Sequence, residues 1–382
     1  MKTATVAPSI RISCPYKDCS GCNYLHLSYG EQISLKKSQL EELLSRKGLE
    51  FPSIEILSAG AAHLRDRLDF SLQGGRLGLY GKDTHDIVDI SVCAQLSPEL
   101  QAWLEEFRCY QWPVEKGSIR LRMGPSGEKG VWLDFANIDI KKILDEATLL
   151  RRLQKVAFVE IGQRRKVPVW TESGYKLQDP ELNVWFQTWM NDQPVNLYCH
   201  VASFTQPSLK ANTLIAEKIS AWVNQYPDAR VIEFGSGIGN LTMPALAAAS
   251  SVVACEIDAL SLEGLEKSVS MLPANLKEHA DKLTIHRGDF QKKILKDFSE
   301  FDGILANPPR SGLMGFLDPL LELQENQRPQ FFIYMSCFPE SMAVDLAKLK
   351  LCGYVMKECA LLDQFPQSTH YEVLTLLERK KT

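Results

Sequence analysis

Four groups of residues in this 382-residue chain have types and spacings that can do chemistry. The first is Cys337, in RPQFFIYMSCFPESM, where an apolar strand gives way to a helix. A thiol at the carboxyl end of a parallel strand faces the ligand crevice of an open α/β sheet, and the following helix N-terminus favours its thiolate. The second is Glu372, directly ahead of the apolar run VLTLL. It reads either as a solvent-facing residue at a strand edge or as a buried general base. The third is the stretch Val231–Asn240, VIEFGSGIGN, an apolar run followed by Gly235, Gly237 and Gly239 and then by the small-residue stretch LTMPALAAAS. Strand, bend and helix in that order form the first crossover of a parallel α/β domain, and the glycines let the backbone approach a ligand where a Cβ would clash. A plain strand–helix turn is the simpler alternative. About twenty residues on, SSVVACEID supplies a second strand ending in Glu256, placed to accept hydrogen bonds from a ribose diol. The fourth group is Cys14, Cys19 and Cys22, a CxxxxCxxC triplet, with Cys93 the first cysteine downstream. Zinc and an iron–sulfur cluster are both chemically possible there. A triplet plus a distant fourth thiol favours the cluster, since a zinc knuckle usually brings two pairs.

After a third apolar run, LTIHRGD, the segment FDGILANPPRSG places a strand ahead of Asn307-Pro308-Pro309-Arg310. An amide followed by two prolines at such a strand end is typical of methyltransferases acting on planar nitrogen-containing rings. The expected ligand is therefore S-adenosylmethionine rather than a dinucleotide. Cys337 and Glu372 then suit one reaction. Carbon 5 of uracil is too weak a nucleophile to take a methyl group directly. Addition of a thiolate to carbon 6 gives an enolate whose carbon 5 can attack a sulfonium methyl, and a base must then remove the carbon 5 hydrogen. Arg310 or Asn307 can hold the polar edge of the pyrimidine. In RNA the base must leave its stack, and Phe338 or Phe365 can hold it once flipped.

Composition bounds what can position these groups. The length suits two or three domains, with 45% hydrophobic and 24% charged residues as in ordinary globular proteins. No apolar run reaches the ~18 residues of a membrane span. The start, MKTATVAPSIRISC, lacks the apolar block of a secretory signal, so a cytoplasmic protein is expected. Ten cysteines are then not expected to form disulfides. The net charge of −4 argues against indiscriminate nucleic-acid binding. Residues 141–166 nevertheless carry eight Lys or Arg against three acids. That window is either the wet side of a helix and strand edge or a phosphate-contacting face.

Four regions follow along the chain: a cysteine-bearing segment over 1–28, a helix over 29–50, a central α+β domain over 51–200, and a methyltransferase domain over 201–382. Ile33, Leu40, Leu43 and Leu44 sit at helical spacing, with Gly48 as the stop. From Phe51 to His200 the pattern becomes short strands between Gly, Pro and Asp turns, with helical stretches PELQAWLEEFRCY and KKILDEATLLRRLQK. In VASFTQPSLK, Gln206 precedes a proline and either caps the next helix or enters the ligand site. The fold class expected is a Rossmann-like α/β methyltransferase domain with an inserted α+β domain.

From Cys14 to Leu377 the chain resembles the RNA uracil-C5 methyltransferase family. The pieces that carry the resemblance are CPYKDCSGC, SFTQPS, VIEFGSGIGN, ACEID, ANPPRSGL, YMSCFPE and DQFPQSTHYEVLTLL. The resemblance implies that Cys14, Cys19, Cys22 and Cys93 bind a 4Fe-4S cluster. It implies that Gln206, Phe234, Glu256 and Asn307 contact S-adenosylmethionine together with the turn at Gly235 and Gly237, that Cys337 is the nucleophile, and that Glu372 is the base. It also implies that the early helix packs on the catalytic domain and that the central domain binds RNA. The expected partner is RNA, with no membrane, and the expected state is a monomer. Three departures stand out: a short first cysteine gap, Phe338 where many members have Asn, and no room before Cys14 for the small β-barrel that some members carry. HYEVLTLL, and Asn307 in place of an aspartate, look most like the branch modifying large-subunit (23S) ribosomal RNA, with transfer RNA second. Phe338 alone supports a different class, a non-catalytic RNA-binding assembly factor.

Overall fold

The apolar runs late in the chain are nearly continuous, the pattern of strands buried on both faces. The structure is a computed structural model describing residues 9–135, 140–288 and 298–380. Helix α1 (Tyr29–Arg46) begins at a capping box in which Ser28 and Glu31 satisfy each other's backbone N–H groups. Strand β1 (Ile54–Ser58) follows. Strands β2 (Arg67–Gln73), β3 (Arg76–Tyr80), β4 (Ile87–Asp89), β5 (Lys116–Met123), β6 (Lys129–Asp134) and β7 (Phe158–Ile161) form one sheet in the order β4-β3-β2-β5-β6-β7. Its pairs are antiparallel except β6 with β7. The helix Pro98–Phe107 covers it with Leu100, Trp103, Leu104 and Phe107. Two hairpins come next, β8 (Val167–Thr171) with β9 (Gly174–Gln178), and β10 (Asn183–Met190) with β11 (Gln193–Cys199).

The remaining strands are β12 (Arg230–Phe234), β13 (Ser251–Glu256), β14 (Leu283–Arg287), β15 (Gly303–Ala306), β16 (Phe331–Ser336), β17 (Tyr354–Asp363) and β18 (Glu372–Arg379). With β1 they build an eight-stranded sheet in the order β1-β17-β18-β16-β15-β12-β13-β14. Successive residues of β16 serve opposite cores: Phe331, Ile333 and Met335 face one, Phe332 and Tyr334 the other. The first core is closed by the helix Leu209–Val223 through Ile215, Ile219 and Trp222. Each such buried side chain contributes roughly 1.5–3 kcal/mol. The second is closed by Leu40, Leu43 and Leu44 of α1 and by the helix Pro339–Leu351. Strand order reverses between β12 and β15, so the crevice for a ligand opens at their carboxyl ends.

Strand β18 runs antiparallel to both neighbours, and this decides the site. Its first residue, Glu372, is brought to the edge where the parallel strands end.

The pairing departs from the expected grouping of residues 51–200 at both ends. Ile54–Ser58 is hydrogen-bonded in parallel to Cys359–Asp363, so β1 belongs to the large sheet. The β10–β11 hairpin packs Trp185, Phe186, Val195 and Leu197 into the core of that same sheet. The stretch KKILDEATLLRRLQK forms two short helices, Ile140–Asp145 and Ala147–Gln154, broken at Glu146, whose ψ of 57° is not helical. No helix among the described residues is long and apolar enough to cross a membrane.

Candidate active site

Ser336 pairs with Val373 across β16 and β18; Cys337 follows the first and Glu372 precedes the second, near enough for the Glu372 charge to act on the thiol. The Cys337 thiol is half-buried, and its pKa is pushed up by burial and by the neighbouring Glu372 charge. Arg310, from the Asn307-Pro308-Pro309-Arg310 turn after β15, opposes this through a hydrogen bond to the thiol. The resting balance is upward, so the expected gain in thiolate character from the next helix is outweighed by burial. Glu372 is buried, which removes the strand-edge alternative. Burial pushes its carboxyl up to about 7, against a hydrogen bond from Gln364 and the charge of Arg310. A carboxylate held near neutrality is matched to general-base work.

Gln206 is also buried, and its Oε1 accepts a hydrogen bond from Gln364 Nε2 at 2.9 Å. The cap of the following helix is Ser208, so Gln206 is not the capping residue. The same Gln364 nitrogen donates to Glu372 Oε1 at 2.8 Å. Of the two rings expected to hold a base, Phe338 is exposed, whereas Phe365 is half-buried beneath the Arg65 guanidinium, 5.3 Å from its centroid. Phe204, two residues before Gln206, was not anticipated; its ring is 70% exposed, with Arg67 5.2 Å from the centroid.

The glycine turn has the geometry its sequence demands. Gly235, Gly237 and Gly239 adopt φ of 72°, 56° and 96°. A Cβ on Gly235 would lie 3.8 Å from the Asn307 carbonyl oxygen, which brings Asn307 over the turn. Glu256 reaches back to it: Oε2 accepts from Gly237 N at 2.9 Å, and Oε1 from Ile257 N and Asp258 N at 2.7 and 2.8 Å. A carboxylate has about four lone-pair sites, so capacity for a ligand hydroxyl remains. Phe234 is different. Its ring is buried against Phe316 and Phe298 in the core, so no side-chain surface is left for a ligand contact. Beneath the turn lies Glu233, fully buried, with its carboxyl pushed up to about 8 by burial.

Cys14, Cys19, Cys22 and Cys93 line one cavity, together with Arg65. Burial and the surrounding thiols push Cys22 up to about 12, with Arg65 pulling downward. Among the described residues no three His, Cys, Asp or Glu side chains are grouped as a single metal ion requires.

Sequence reasoning missed Gln364 and the residues that hold its loop. Lys36 pairs with Asp363, and Gln32 bonds Gln367, so α1 is fastened to the loop after β17. A signal was present. Gln32 and Lys36 share, at four-residue spacing, the helix face that Leu40, Leu43 and Leu44 bury. Polar residues on an apolar stripe mark a buried partner.

The strand order, the antiparallel β18 and the glycine turn after β12 define the class of S-adenosylmethionine-dependent methyltransferases. Within that class, the chain belongs to the tRNA (uracil-5-)-methyltransferase family, whose model matches residues 183–380. An uncharacterized RNA methyltransferase of Bdellovibrio bacteriovorus is 63% identical over 97% of this chain and 96% of its own length. The 23S rRNA (uracil(1939)-C(5))-methyltransferase RlmD of Marinomonas posidonica is 25% identical over 96% of this chain and 80% of its own. In fold, the chain is similar to Pyrococcus abyssi tRNA (uracil-54, C5)-methyltransferase, solved in complex with S-adenosyl-L-homocysteine. The TM-score is 0.67 at 20% identity, covering 96% of this chain and 87% of that one.

Proposed function

We propose that this protein methylates carbon 5 of a uridine in RNA through a covalent adduct with Cys337, with Glu372 as the base. The observation that carries the reading is that Cys337 and Glu372 adjoin the last β16–β18 pair, with the Glu372 charge felt by Cys337 and Arg310 acting on both. Gln206, Gly235, Gly237, Glu256 and Asn307 would hold S-adenosylmethionine, which would supply an electrophilic methyl group. The Cys337 thiolate adds to carbon 6, forming the S–C bond and pushing the ring electrons to carbon 5 and the carbonyl oxygen. Carbon 5 takes the methyl group as the sulfonium S–CH3 bond breaks, its electron pair returning to sulfur and leaving S-adenosylhomocysteine. Glu372 then accepts the carbon 5 proton, the double bond re-forms and the thiolate leaves. Arg310 favours the thiolate and so opposes in part the burial that keeps the thiol protonated at rest.

Large-subunit ribosomal RNA is the proposed substrate class, supported by the relative named for 23S rRNA over nearly the whole chain. Transfer RNA is the second reading, favoured by the family description. The six-stranded sheet and its hairpins are the proposed RNA-binding part, and Phe204 beside Gln206 offers a flipped base a ring to stack on.

A 4Fe-4S cluster on Cys14, Cys19, Cys22 and Cys93 is proposed as a structural element. The donor set fits in kind: Cys14, Cys19, Cys22 and Cys93 line one cavity, and four thiolates are the usual ligands of such a cluster. When bound, it would hold the cysteine segment against β2 to β4; uracil methylation needs no electron from it.

The test uses two variants and labelled S-adenosylmethionine. Cys337→Ala is expected to bind RNA and form no adduct. Glu372→Gln is expected to trap a protein–RNA species that survives denaturation and carries the methyl label. Methylation by Cys337→Ala would sink the covalent mechanism, and wild-type turnover by Glu372→Gln would move the base elsewhere.

A further inference from the structure

We infer that Gln364 is the positioning residue for the base, and that one side-chain amide ties Glu372 to Gln206, which the family resemblance assigns to the methyl-donor site. The inference rests on Glu372 acting as the base. Gln364 is 0% exposed, Glu372 4% and Gln206 5%, so water cannot substitute for the hydrogen bonds between them. Gln364 Nε2 spends both its hydrogens here, at 2.8 Å on Glu372 Oε1 and 2.9 Å on Gln206 Oε1. Two facing acceptors set the amide orientation, because a flipped amide would put its oxygen against a carboxylate. That orientation leaves Gln364 Oε1 buried with no partner among the described residues.

Gln364 is also not free to drift. Asp363, just before it, is ion-paired with Lys36 at 2.8 Å, and Phe365, just after it, accepts from the same ammonium through its carbonyl at 3.1 Å. Gln367 is held by Gln32 in both directions at 2.9 Å, by Tyr24 N at 2.9 Å and by the Ala61 carbonyl at 3.2 Å. Every one of these partners lies before residue 62, so the early part of the chain frames the loop that presents Gln364. The amide is a fixed donor, and Glu372 is oriented against it.

The charged and titratable groups around Glu372 are Arg310 from the turn after β15 and Cys337 from the end of β16. Gln364, from the loop after β17, is neutral, and its hydrogen bond to Glu372 is stronger when that carboxyl is ionised. Losing it leaves burial opposed by Arg310 alone. Glu372 then holds its proton more tightly, and less of it is competent as a base at a given pH.

The test compares wild type, Gln364→Met and Gln364→Glu in single-turnover methylation from pH 5.5 to 9, with the adduct measured on denaturing gels. In Gln364→Met the acidic limb of the rate profile is expected to move up by about one to two pH units, the worth of a hydrogen bond to a charged group. The methylated adduct should accumulate at neutral pH and clear at pH 9, where Glu372 is ionised again. Gln364→Glu, which adds a like charge, is expected to move the limb at least as far. Methyl-donor affinity is expected to change less than the rate of adduct breakdown. An unchanged pH profile with no adduct in Gln364→Met, alongside adduct trapping by Glu372→Gln, overturns this inference and leaves the base assignment standing. If Glu372→Gln turns over normally, the base assignment fails and this inference fails with it.

Discussion

The Lys36 ammonium lies 2.8 Å from Oδ1 of Asp363, and neither side chain is exposed to solvent at all. Two residues 327 positions apart are thereby joined beneath the loop that leads to Glu372. Desolvation lowers the Lys36 pKa and the Asp363 charge opposes it. Such a pair contributes little net stability, but half of one is expensive, since an uncompensated charge stays buried.

Lys36→Met is therefore expected to destabilise the protein by about 3–5 kcal/mol. The double variant Lys36→Met with Asp363→Leu should recover most of that loss. Urea unfolding of the single and double variants checks it; an additive double variant would show that the pair does not interact.

Glu372 gives a pH dependence of definite sign. Its folded-state carboxyl is raised from 4.5 to about 7, so between those values the folded form binds more protons than the unfolded one. Stability conferred by the protonated group is full below the unfolded value and lost as pH rises through the folded one. Glu372→Gln, uncharged throughout, is expected to be more stable than wild type above pH 7, by about 3 kcal/mol at the limit. The melting-temperature difference should grow from pH 4.5 to 7 and then level off. A difference flat across that range would mean that Glu372 is ionised at its ordinary value.

Several residues of the basic segment are engaged within the protein, and Arg164 and Arg165 are the pair proposed to meet RNA. Arg151 stacks 3.7 Å from the Trp170 ring centroid, Arg152 lies over Tyr110 and Lys166 pairs with Asp179. Arg164 is exposed, and Arg165 is half-buried, reaching Ser203 ahead of Gln206. If both contact phosphates, Arg164→Ala with Arg165→Ala should weaken RNA binding and reduce the salt slope by roughly 1.4 on a single-stranded target. Filter binding across a salt series reads both quantities. An unchanged slope would make these residues ordinary solvated surface.

The cysteine site makes its own prediction. Protein purified without air is expected to be brown and to hold iron and sulfide. Cys22→Ser should lose the colour and lower the melting temperature while the methyl-donor site still binds S-adenosylhomocysteine. Colourless protein with one tightly bound zinc would refute the cluster.

The sequence by itself determined the pieces whose physics is local. A glycine turn after an apolar strand needs positive φ, and Gly235, Gly237 and Gly239 have it. The strand ends carrying Cys337 and Glu372 were legible because an apolar run and the residue that stops it are adjacent in the chain. The grouping of 51–200 was not, because a strand's composition says that it will pair and not with what. Ile54–Ser58 finds its partner in Cys359–Asp363, and only the completed sheet offers that edge. The Phe234 ring turned to the core for the same kind of reason: alternation gives two faces, and packing against Phe298 and Phe316 decides which is dry. Tertiary structure alone brought Gln364 between Gln206 and Glu372. Hydrogen bonds between side chains distant in sequence depend on angstrom-scale placement, which no local pattern of residue types encodes.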